Sequence, residues 1–103
     1  MRHRQLVRLA PDYATEWPLW DETGNVSPAD LDLTPELAEG IRHWQRMWEQ
    51  RYRFDVGWND AAVERRWAAD GYDLARRLHA ELQARRGPGV RVRLTIGNWV
   101  SEF

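Results

Sequence analysis

The chain has 103 residues, 43% of them hydrophobic and seven of them Trp, with fifteen basic residues against sixteen acidic ones for a formal charge of -1. That length suits one compact domain, residues 1–103, and is short for two. The absence of cysteine excludes disulfides, thiol catalysis and thiolate metal sites, and the near-neutral charge excludes a global pull toward nucleic acid or anionic lipid.

No stretch approaches the about 20 apolar residues of a membrane-spanning helix. The opening Met1-Arg2-His3-Arg4-Gln5 lacks the long apolar core of a secretory signal, so the expected location is cytoplasmic. Every basic residue is Arg. A coding bias explains this, and it supplies guanidinium groups that stack on indoles or grip carboxylates.

In chain order, Arg4 to Leu9 predicts a short strand with Val7 and Leu9 inward, stopped by Ala10-Pro11-Asp12. Glu16 to Trp20 offers a second strand or an extended loop, since Pro18 removes a ladder donor. Asp21 to Asn25 is a turn cluster, and Ser27-Pro28-Ala29-Asp30 has capping-box spacing around one helical turn.

Thr34 then caps a helix with Pro35 in its first turn, and Leu37, Ile41, Trp44 and Trp48 form its apolar stripe to an end near Tyr52. Phe54 to Asp60 folds back tightly. A second helix runs from about Ala61 to Arg86, with Val63, Trp67, Leu74, Leu78 and Leu82 on one stripe and Gly71 where a large residue would fit. Glycine there costs about 1 kcal/mol against Ala, which predicts close approach by an indole of the first helix. Arg85-Arg86-Gly87-Pro88 marks the end. Val90, Val92, Leu94 and Ile96 alternate with Arg91, Arg93 and Thr95 as a half-buried strand closed by Gly97-Asn98.

Neither the stripes nor the strands can stand alone in water, so the expected fold is α+β in two layers. Two long antiparallel helices would cover a small sheet of two or three strands. Such a sheet leaves an edge, and the C-terminal strand is expected to offer it to another strand, most simply in a weak homodimer. Arg91 and Arg93 oppose this unless an acid such as Glu102 or Asp12 compensates.

The search for chemistry points away from catalysis. His43 and His79 flank helical stripes, Glu39 and His43 share a face without a second ligand cluster, and no metal or cofactor site is predicted. Ser27 and Ser101 have no base beside them, and Gly87-Pro88-Gly89 follows a helix instead of opening one. Arg65-Arg66, Arg76-Arg77 and Arg85-Arg86 point round the second helix among acids, which disfavours nucleic acid.

The order Asp12-Tyr13, Trp17-Pro18-Leu19-Trp20-Asp21, Gly24-Asn25-Val26-Ser27-Pro28, Leu33-Thr34-Pro35-Glu36-Leu37, Trp44, Tyr52, Trp58-Asn59-Asp60 and the helix from Gly71 to Leu82 resembles a group of small uncharacterised actinobacterial proteins. The resemblance implies a proline- and tryptophan-bearing start, two helices and a final strand. It brings no activity with it.

Aromatic and Arg side chains are favoured as interface anchors. Trp44, Trp48 and Trp67 belong to the core stripes, which leaves Trp17, Trp20, Trp58, Trp99, Arg91 and Arg93 as candidate binding residues. The expected function is a non-catalytic protein-binding or accessory role, such as toxin neutralisation or regulation. The alternatives are a small-molecule enzyme with an acidic and Arg-lined pocket, and a weak nucleic-acid-binding module.

Overall fold

The structure is a computed structural model, and it describes residues 5–13, 15–53 and 55–103. Arg4, where the first strand was expected to begin, His3, and Phe54 in the interhelical segment lie outside these residues.

Strand β1 (Gln5–Leu9) is followed by β2 (Leu19–Asp21) and β3 (Gly24–Asn25). Helix α1 (Pro35–Arg51) comes next, then β4 (Tyr52–Arg53), β5 (Gly57–Trp58) and helix α2 (Ala61–Arg86). Strands β6 (Val90–Ile96) and β7 (Trp99–Glu102) complete the chain. The α+β class stands, but the expected sheet of two or three strands does not. Five strands form one mixed sheet in the order β3-β2-β1-β6-β7, and β4 and β5 make a separate two-stranded hairpin.

The additional strands come from segments too short to show a period. Asp21 accepts from the Thr23 N–H at 2.8 Å, and Gly24 takes a φ of 117°, so the turn cluster folds back as β3 on β2. At the other end Gly97, with a φ of 58°, occupies the first central position of a two-residue hairpin, where a type II′ turn places glycine. The segment after Asn98 therefore returns as β7.

This return also overturns the expectation that β6 presents an edge. β6 pairs in parallel with β1 and antiparallel with β7, so both its sides are occupied. The parallel pairing needs a crossover, and the two helices supply it over one face of the sheet.

Cap chemistry sets both helix starts. Thr34 Oγ1 accepts from the Leu37 N–H at 3.4 Å, and Asp60 Oδ1 accepts from Ala62 and Val63 at 2.9 and 3.2 Å. Thr34 also donates its hydroxyl to Glu81 Oε2 at 2.6 Å, while its N–H reaches Glu81 Oε1 at 2.9 Å. The start of α1 is thereby tied to the side of α2. Ser27 and Asp30 form the reciprocal bonds their spacing suggests, at 2.9 and 3.3 Å.

The core lies between the helices and the inner face of the sheet. Val7, Leu9, Leu19, Val92 and Leu94 meet Leu37, Ile41, Trp44, Leu78 and Leu82, all of them buried. Gly71 is the predicted point of close approach: a Cβ there would lie 2.6 Å from Trp44 Cζ2. Gln45, absent from the expected stripe, is buried because its amide donates to the Asp12 carbonyl at 2.7 Å and fastens the β1–β2 connection to α1.

Candidate functional site

The helices cover one side of the five-stranded sheet, and strand alternation places the residues of the other side together. One row crosses all five strands: Asn25 beside Trp20, Trp20 beside Arg8, Arg8 beside Arg93, and Arg93 beside Glu102. Leu6 and Arg91 are partners in the same alternation set, as are Thr95 and Val100.

Adjacent like charges on neighbouring strands repel, so the Arg8–Arg93 pair needs relief on both flanks. On one flank the Arg8 guanidinium lies 6.0 Å from the centroid of the Trp20 ring, within range of a cation–π contact. Trp20 is fixed for this by donating its indole N–H to the Ala10 carbonyl at 3.0 Å. On the other flank Arg93 donates to Glu102 Oε2 from Nε at 3.0 Å and from a terminal nitrogen at 2.7 Å, and Arg91 donates to Oε1 of the same carboxylate.

Hydrogen bonds from Arg93 and then Arg91 hold the Glu102 carboxyl below its ordinary range, against the opposing pull of desolvation. Two guanidiniums thus share one carboxylate, while Arg8 pairs with no carboxylate among the described residues and meets the Trp20 ring instead. The surface is cationic and aromatic, with weakly hydrated Arg heads suited to planar carboxylates.

Of the expected binding residues, Trp20, Arg91 and Arg93 come together on this face. Trp99 stands at the neighbouring β7 edge, 46% exposed beside Val100 at 51%. Trp17 does not join them: it packs toward α1, where the Arg42 guanidinium lies 5.9 Å from its ring centroid and also meets Glu16 at 3.3 Å. Trp58 is likewise elsewhere, lying 5.1 Å from Trp67 and 6.2 Å from Tyr52 in ring-centroid distance, where it secures the β4–β5 hairpin to the helices.

Arg8 and Glu102 complete the face and were not singled out for binding. Arg8 follows from alternation in β1, a signal visible in Val7-Arg8-Leu9. The position of Glu102 depends on the Gly97-Asn98 turn and its two-residue register.

A separate groove of about 490 Å³ runs between the helices over Trp44, Trp67 and Leu74, with Arg51, Arg66 and Arg77 among its polar lining. Its floor is the packed core, since Trp44 and Trp67 are each 2% exposed. Among the described residues, no group of three or more His, Asp or Glu is placed to hold a metal ion. No helix among them is long and apolar enough to cross a membrane.

The fold and face together define a small α+β protein with a five-stranded mixed sheet covered by helices on one side and bearing Arg and Trp on the other. Residues 5–86 match the family model described as Serratia CdiI immunity protein-like, and the chain belongs to that family. The match runs from β1 to the end of α2; Arg91, Arg93 and Trp99 lie beyond it. It establishes a family without indicating an actinobacterial source. No curated protein matches the chain.

Proposed function

We propose that the chain is an immunity protein that neutralises a toxin by binding it directly through the open face of the sheet. The carrying observation is the row Trp20–Arg8–Arg93–Glu102, with Arg91 beside it. Family membership supports the toxin as the partner's class, since immunity proteins give the family its description. Arg and Trp are the residue types most often responsible for interface energy, and the surplus of guanidinium suits a partner surface bearing carboxylates. The proposed location is the cytoplasm. The Arg-only base set supports a GC-rich source such as the actinobacterial group the chain resembles.

The test is co-expression with candidate toxin domains sought among the genes neighbouring this one, followed by calorimetry on the purified pair. The expected outcome is a one-to-one complex and protected cells. Trp20→Ala and Arg8→Glu should each weaken binding, whereas Arg77→Glu in the helix groove should leave it unchanged. Equal binding by the two sheet-face variants and the unaltered chain would overturn the face as the interface. Lack of any complex would overturn the function.

A further inference from the structure

We propose that β7 is a pairing edge for a second copy of this chain, joining two sheets antiparallel about Ser101. This inference does not depend on the toxin-binding reading, because it uses the sheet edge and not its open face.

The direction of the free backbone groups follows from the ladder. Val92 donates its N–H to the Phe103 carbonyl at 3.2 Å and receives the Phe103 N–H at 2.8 Å, so these residues form a hydrogen-bonded pair. Antiparallel ladders alternate, which turns the backbone groups of Ser101 and Trp99 toward β6 and those of Val100 and Glu102 outward. The opposite edge is the two-residue β3, whereas β7 offers four residues in unbroken register from Arg93↔Glu102 to Ile96↔Trp99.

Exposed edges are ordinarily guarded by proline, a bulge or an outward charge. β7 has none of these guards. Its sequence is Trp-Val-Ser-Glu, its register is continuous, and its one charge is drawn back onto Arg91 and Arg93. Trp99 and Val100 remain about half exposed beside unpaired backbone groups.

Self-complementarity favours a second copy over an unrelated strand. With a two-fold axis at Ser101, Val100 of each copy exchanges both backbone bonds with Glu102 of the other, and the small serines meet on the axis. Trp99 then faces Phe103 of the second copy, giving an aromatic cross-strand pair on each side. Each carboxylate stands opposite a valine, so no like charges meet. The residues that pair are those whose donors and acceptors already point outward.

Size exclusion with light scattering across a concentration series should show a mass rising from that of the 12.2 kDa monomer toward the dimer. Hydrogen exchange should show the Val100 and Glu102 amides gaining protection as concentration increases. Val100→Pro removes an outward donor while sparing every bond to β6, and it should remain monomeric with an unchanged circular dichroism spectrum. Trp99→Glu supplies a second variant that keeps the backbone intact, and it should also remain monomeric. Arg8→Glu, on the open face, should dimerise as the unaltered chain does. A mass fixed at that of the monomer, dimerisation by folded Val100→Pro or by Trp99→Glu, or protection of Val100 only on adding a toxin would each overturn the proposal.

Discussion

Trp44 and Trp67 stack with ring centroids 4.4 Å apart and planes 2° from parallel, and each donates its indole N–H to the other's backbone carbonyl, at 2.8 and 2.9 Å. The arrangement solves two problems at one crossing. Both indoles leave water, and both polar N–H groups are satisfied by helical carbonyls of the opposite helix. Gly71 makes room for it, because a Cβ there would fall within 3.0 Å of three atoms of the Trp44 ring.

This packing reverses the usual sign of a helix substitution. Gly→Ala in a helix interior is ordinarily stabilising by about 1 kcal/mol, but Gly71→Ala should destabilise by about 1–3 kcal/mol through overpacking. Trp67→Ala should cost about 3–5 kcal/mol by opening a cavity. Urea unfolding followed by circular dichroism measures both, and a stabilised Gly71→Ala would contradict the close approach.

The Thr34–Glu81 link joins the start of α1 to α2 through two hydrogen bonds to one carboxylate. Glu81→Ala should lower stability by about 1–2 kcal/mol, and Thr34→Ala by a similar amount through loss of the cap as well. The double variant should cost less than the sum of the two, since both remove the same hydroxyl–carboxylate bond. Additive losses in a double-mutant cycle would show that the link contributes nothing of its own.

Glu102 should titrate below an ordinary carboxyl, as its two Arg partners favour the charged form. A group whose pKa is lower in the folded chain adds stability above its unfolded pKa, and this contribution is lost as pH falls through the folded value. Its ion pairs should therefore persist at the ordinary carboxylate pKa and break only at lower pH. Carbon-detected NMR titration of the side chain checks this. Arg93→Gln should move the midpoint upward further than Arg91→Gln, because Arg93 is the larger cause.

On the open face, Arg8→Glu and Arg93→Glu should slow association with a carboxylate-bearing toxin and flatten its dependence on salt, while Trp20→Ala should mainly speed dissociation. Loss of a central anchor costs about 2 kcal/mol or more, so the Trp20 variant should bind at least about thirtyfold more weakly. Stopped-flow binding at two ionic strengths separates these effects. Identical salt dependence in all variants would place the contact elsewhere.

The local code of this chain is strong wherever a period or a cap has room to repeat. Thr34 with Pro35, Asp60 before Ala61, and Gly87 after Arg86 delimit two helices, because unsatisfied backbone groups at helix ends require particular side chains nearby. The gap at Gly71 likewise forecast an indole, since only a large neighbour repays glycine in a helix interior. Alternation in β6 separated its buried valines and leucine from its arginines.

What the tertiary structure decided is how those pieces meet. Strands as short as Gly24–Asn25 and Trp99–Glu102 exist through hydrogen bonds to partners, not through any pattern of their own, and so the sheet is larger than periodicity suggests. The same pairing hides both sides of β6, exposes β7, and aligns Trp20, Arg8, Arg93 and Glu102 in one row. Those four residues belong to four different strands, and no spacing along the chain encodes their order. It arises only when backbone donors and acceptors from distant segments satisfy one another across the sheet.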